Sequence, residues 1–188
     1  MKKIITSPFM AVVNIDNHKI SFSDQYFFDT NIWLLLFGTV ANFQIKEQKI
    51  YSALFADILQ RNNSIYSTSL VFSEFSNVLL RRDFNQWKES NNFYGKDFKK
   101  DFVGTAEYKN SVNSIKLLLN KILALPNLIR VGDSFHNLDF TNIYQDFENI
   151  DFNDSYFTEV CRLNNYKMVS NDGDLKTVAQ KIDVITIV

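Results

Sequence analysis

The chain has 188 residues, of which 46% are hydrophobic and 22% charged, and its formal net charge is −1. That length suits one domain burying about 70% of the surface its unfolded form exposes, so no disulfide is needed to hold a core. The near-neutral balance argues against a protein that coats nucleic acid by bulk electrostatics, while leaving room for an acidic metal site offset by basic patches elsewhere.

Met1-Lys2-Lys3-Ile4-Ile5 carries the charge of a signal peptide, but the apolar run stops at Thr6-Ser7-Pro8 with no cleavage site beyond it. Residues 9–15 and 18–22 read as a short hairpin around Asp16-Asn17, part of an N-terminal extension over residues 1–24. Residues 25–29 are an apolar run that ends at Asp29, the pattern of a buried parallel strand. A helix follows, and residues 46–60 place Ile50, Leu54 and Ile58 at helical spacing. Residues 64–67 form a second strand. Residues 69–82 form a helix with Leu70, Phe72, Phe75, Val78 and Leu79 as its apolar positions.

Residues 83–107 alternate polar and aromatic side chains and read as an irregular or loosely helical insertion. Residues 108–125 make an amphipathic helix through Val112, Ile115, Leu119 and Ile122, stopped by Pro126. Strands are expected over 128–131, 166–170 and 184–188, with a helix over 153–163 between the first two of these. Cys161, the single cysteine, lies in that helix; it reads as buried packing and fits a reducing cytoplasm. The eighteen Phe residues read as core filler. No uncharged apolar stretch of about 18 residues occurs, so no membrane span is expected and the chain reads as a soluble cytoplasmic protein. Strands alternating with helices indicate an α/β fold, a parallel sheet of five strands covered on both faces, with residues 1–188 as one domain.

In open α/β sheets ligands bind outside the carboxyl ends of the strands. Asp29 ends the first strand, Glu74 lies one turn into the helix after the second, Asp154 opens the helix before the fourth, and Asp172 and Asp174 follow the fourth. Taken singly, these acids have ordinary readings: a strand-end turn for Asp29, a solvated helix residue for Glu74, helix caps for Asp151 and Asp154, a turn for Asp172-Gly173-Asp174. Their joint placement is what points to function. Two like charges about 4 Å apart repel by roughly 4 kcal/mol at an effective dielectric of 20. Four gathered carboxylates therefore require protons or cations. Hard divalent cations take such oxygen ligands, and Mg²⁺ keeps waters that serve as nucleophiles. His18 and His136 stand apart with no partner cysteine, which disfavours zinc.

Several stretches resemble the PIN-domain ribonucleases. Tyr26-Phe27-Phe28-Asp29-Thr30-Asn31 is similar to their opening strand, Thr68-Ser69-Leu70-Val71-Phe72-Ser73-Glu74 to their second segment, Asp154-Ser155-Tyr156-Phe157 to their acidic helix start, and Val169-Ser170-Asn171-Asp172-Gly173-Asp174-Leu175 to their closing motif. The resemblance implies a PIN-like three-layer α/β/α fold and a Mg²⁺- or Mn²⁺-dependent endoribonuclease. It implies Asp29, Glu74, Asp154 and Asp172 as metal-binding catalytic acids, Asp174 as a further ligand or supporting partner, and Asn31 and Ser170 as residues holding the acids in place. Asp151 competes with Asp154, which spacing favours. The VapC-like members of the family imply a cognate antitoxin protein and a homodimer beside the RNA substrate. Ser155 and Leu175 depart mildly from the family pattern, and residues 1–24 and 83–107 are additions to it. Lys88, Lys96, Lys99 and Lys100 beside Trp87, Phe93 and Tyr94 suit an RNA-contacting flap or an antitoxin-docking surface, and equally a solvated loop. A PIN-like domain that binds RNA or protein without cutting is the alternative reading. An aspartyl phosphatase is disfavoured, because Asp29 is followed by Thr30-Asn31 rather than by a second acid two residues on.

Overall fold

The computed structural model describes residues 11–39, 44–179 and 181–188. Its centre is β2 (Gln25–Phe28). Tyr26, Phe27 and Phe28 are all fully buried, as a parallel strand covered on both faces requires. Successive side chains of a strand point to opposite faces. Phe27 accordingly packs on Phe157 and Tyr166, while Phe28 packs on Trp33 and Phe55.

The other strands are β1 (Val12–Asn14), β3 (Ser64–Ser67), β4 (Leu128–Arg130), β5 (Lys167–Val169) and β6 (Val184–Thr186). They form a six-stranded sheet in the order β1-β6-β5-β2-β3-β4, and every pairing is parallel. The helices are α1 (Thr30–Phe37), α2 (Ile45–Gln60), α3 (Ser69–Asn91), α4 (Ala106–Leu123), α5 (Phe140–Phe147) and α6 (Phe152–Asn164). The chain steps from β2 to β3 to β4 in one direction, then returns past β2 to β5 and β6. Because such crossovers are right-handed, the reversal sends the later helices to the opposite face. Packing agrees: α1 touches α2 and α3, α3 touches α4, and α5 touches α6. The result is an α/β/α sandwich.

Four expectations need correction. The hairpin of residues 9–15 and 18–22 does not form among the described residues; residues 9 and 10 lie outside them, and residues 18–22 carry no strand. Instead β1 runs parallel to β6, Val12 opposite Val184, which makes the sheet six-stranded rather than five-stranded. Pairing with a buried strand satisfies β1's backbone groups better than an isolated hairpin in water. Second, α3 continues nine residues past Arg82 to Asn91, and a π-helical turn at Phe98–Phe102 follows, so much of the 83–107 segment is regular. Third, α5 was not foreseen. Fourth, Phe is only partly core filler: Phe22, Phe135 and Phe147 are exposed.

Candidate metal centre at the sheet's switch point

The reversal of chain direction falls between β2 and β5. At such a point two loops leave the sheet in opposite directions and open a crevice beyond the strand ends. Asp29 follows β2 and residues 170–174 follow β5, so the two acidic motifs border that crevice.

Asp29 is buried at 4% exposure and caps α1. Its Oδ1 accepts the Thr30 backbone N–H at 2.6 Å, and its Oδ2 accepts the Ser170 hydroxyl at 2.7 Å. Burial pushes its carboxyl up to about 7; those two hydrogen bonds oppose the shift, while the charges of Glu74 and Asp172 add to it. Ser170 is itself fully buried and accepts from Asn31 Nδ2 at 3.1 Å and from the Asp172 backbone N–H at 3.0 Å. The Asn31 amide is oriented by the Asn171 N–H, which donates to its Oδ1 at 3.2 Å. Asn31 and Ser170 thus tie the ends of β2 and β5 to one another across the crevice.

Glu74 lies on α3 one turn past its start. The Thr30 hydroxyl donates to its Oε2 at 2.9 Å, so Thr30 joins Glu74 to Asp29 through its side chain and its backbone. Asp172 accepts the Asp174 N–H at 2.8 Å. Asp174 contributes that backbone group, and its own side chain is exposed.

Asp154 is half-buried in the first turn of α6. Burial raises its carboxyl to about 8, and the charges of Asp29, Asp151, Asp172 and Glu74 raise it further. Asp151 plays a different part. It is exposed and caps α6, its Oδ1 accepting the Asp154 N–H at 2.9 Å and its carbonyl accepting the Ser155 N–H and hydroxyl.

Two residues of the site were not singled out from the sequence. Thr30 sits inside the Asp-Thr-Asn string, and its hydroxyl between two polar neighbours at a strand end is the signal the sequence offers. Tyr51 of α2 gave none: its hydroxyl lies 2.8 Å from the Ser170 carbonyl and 3.1 Å from Asn171 Oδ1, and accepts the Ile187 N–H at 3.3 Å.

The donor set fits a hard dication by its chemistry: oxygen ligands, four acids in one electrostatic field, and an anchored central carboxylate. The fit is not complete in geometry. Among the described residues no three Asp, Glu, His or Cys side chains stand close enough together to share one ion as they are. Cys161 is fully buried and its thiol is pushed far up by burial and by Asp29, which leaves it as packing.

A doubly wound parallel sheet carrying a buried, hydroxyl-anchored aspartate at its switch point, with further acids beside it, defines an α/β protein with an acidic site at the strand ends. Residues 26–181 match the PIN domain family, and the chain belongs to it. Members of that family are generally nucleases. Among solved structures, a chain from the crystal structure of VapBC2 from Rickettsia felis bound to a DNA fragment from their promoter matches with a TM-score of 0.49 and 14% identity, over 86% of this chain and 98% of that one. No curated protein matches. No helix among the described residues is long and apolar enough to cross a membrane.

Proposed function

We propose that this chain is a metal-dependent endoribonuclease that hydrolyses RNA phosphodiester bonds, with Mg²⁺ or Mn²⁺ held by Asp29, Glu74, Asp154 and Asp172. What supports the reading is that Asp29, Glu74, Asp154 and Asp172, from four separate segments, lie in one another's electrostatic field around a buried aspartate with both oxygens engaged. A divalent cation held by these acids would supply positive charge to the phosphodiester and would lower the pKa of water beside it. The protein's part is positioning. Ser170 and the Thr30 N–H fix Asp29, the Thr30 hydroxyl orients Glu74, the Asp174 N–H orients Asp172, and the Asp151 cap sets the turn that presents Asp154. Asp174 serves as a supporting residue in this reading.

The motifs shared with VapC-like proteins extend the reading to a toxin with a cognate antitoxin protein, acting as a homodimer. Induced expression then arrests growth, and Asp29→Asn expression does not. The rival reading is a non-catalytic domain that binds RNA or protein; it is favoured by the finding that, among the described residues, no three acids stand close enough as they are to share one ion.

One experiment decides between them. Structured RNAs are incubated with wild type and with Asp29→Asn/Asp172→Asn, in Mg²⁺, in Mn²⁺ and in EDTA. Cleavage by wild type alone, lost in EDTA and at least about a hundredfold weaker in the variant, is expected. Equal cleavage by both proteins, or none by either, overturns the reading.

A further inference from the structure

A groove of about 410 Å³ opens between α1, α3 and the loop after β5. That volume falls within the range of small-ligand sites. Its position follows from helical spacing. Glu74, Val78 and Arg82 are four residues apart and share one stripe of α3, and the last two line the groove. Asn31 lines it from the start of α1 and Asp172 from the loop. The groove therefore begins at Asp172 and at Val78, one turn along α3 from Glu74, and runs outward between α1 and α3, two helices packed on each other.

Its chemistry has two parts. Leu35 and Leu79, at 3% and 2% exposure, give it an apolar floor, and Val78 stands over it at 42%. Arg82 supplies a cation that is ion-paired with Asp83 on one edge and has further N–H groups to offer. Its Nε and Nη2 both donate to Asp83 Oδ1, at 3.0 and 2.8 Å, which steadies the planar guanidinium at the groove wall. An apolar bed with one cation, joined end-on to an acidic site, suits a group that is flat and apolar on its faces and carries an anion beside it. A nucleotide has that composition. A phosphodiester lying at the acids carries a nucleoside on each side.

We infer that this groove is the subsite for the nucleotide next to the cleaved phosphodiester of a single-stranded RNA, the base packed by Val78, Leu35 and Leu79 and the adjoining phosphate held by Arg82. The inference rests on the proposed ribonuclease reading for its substrate class. Binding measures it separately from cleavage. A fluorescently labelled single-stranded RNA of about ten nucleotides is titrated with full-length protein in Ca²⁺ by anisotropy, over a range of salt, with the RNA checked for integrity afterwards.

Val78→Trp, which fills the groove, is expected to weaken binding at least about tenfold without changing the salt slope. Arg82→Ala is expected to weaken it and to flatten the slope of log K against log salt by about 0.7, the value of one lost phosphate contact on a single strand. Arg82→Lys keeps the slope, which separates a phosphate contact from a structural role. Melting curves matching wild type establish that the variants fold. Variants that melt and bind like wild type with an unchanged slope overturn the inference, as does a wild type that binds no RNA. Loss of binding in the variants alongside absent RNA cleavage by wild type upholds the groove as a nucleotide-binding site and removes the nuclease reading; cleavage by wild type with undiminished binding in the variants removes the groove's role and keeps the nuclease reading.

Discussion

The hydroxyl of Ser170 sets the buried end of the acidic site. Two N–H groups, from Asn31 and from the Asp172 backbone, donate to it. Its own proton therefore points at Asp29 Oδ2. Ser170→Ala strands both donors and removes the bond that holds Asp29's carboxyl down. Both donors are part-buried, so each costs at most the roughly 1–3 kcal/mol of a stranded buried donor, and about 2–4 °C of Tm accompanies each kcal/mol in a chain of this size. The variant is expected to melt several degrees lower, with the Asp29 carboxyl titrating higher by carbon-13 NMR. A melt and titration matching wild type would remove Ser170 from its role. This part of the site was legible because its groups lie in short strings, Asp29-Thr30-Asn31 and Ser170-Asn171-Asp172. Tyr51 was not, since it reaches Ser170 across 119 positions of chain and no local pattern records such a contact.

At the scale of elements, α3 and the segment after it carry a satellite core. Phe84, Trp87, Phe98, Phe102 and Tyr108 meet at centroid distances of 5.2–6.5 Å. The Arg81 guanidinium lies 4.1 Å over Phe98, and the Lys88 ammonium 4.6 Å over Phe84. Arg81-Arg82-Asp83 interrupts the apolar rhythm in sequence, which is why the helix reads as ending there. The helix continues because Phe84 and Trp87 resume the stripe on Phe98 and Phe102, partners that only the folded segment between α3 and α4 supplies. It stops at Asn92, which adopts the left-handed conformation that asparagine tolerates. Phe102 is fully buried in this cluster. Phe102→Ala is expected to cost about 3–5 kcal/mol locally. Because the cluster stands apart from the sheet core, amide exchange should quicken over residues 84–108 while the amides of β2 and β5 keep their protection. Uniform loss of protection across the sheet would show that this aromatic cluster and the main core fold as one unit.

For the whole molecule, the parallel sheet and the edge on which the acids lie were readable from strand–helix alternation, whereas strand order was not. β1 is three residues long and finds its partner 172 positions away, Val12 on Val184, so nothing local distinguishes it from a turn. That order fixes the switch point, and the switch point gathers acids whose folded-state titration opposes folding. Asp29 and Asp154 titrate near 7 and 8 against an ordinary value of 3.8. Between about pH 4 and 8 the native state then binds more protons than the unfolded chain, so these two groups make stability fall as pH rises through that window. Asp24 and Glu159 shift the other way, Asp24 held down by the Ser21 N–H and Lys167 and Glu159 by Arg162, and act below about pH 4.5, outside the window. His18, lowered by burial, adds stability as pH rises through about 6.5 and partly masks the effect. A difference between two proteins cancels His18. In EDTA, Asp154→Asn is expected to melt at least about 2 °C above wild type at pH 8 and to lose that advantage as pH falls toward 4. Mn²⁺ should raise the wild-type Tm more at pH 8 than at pH 5, because at pH 5 protons already neutralise the same carboxylates. A variant no more stable than wild type at pH 8, with no pH dependence in the gap, would mean that these acids do not strain the fold.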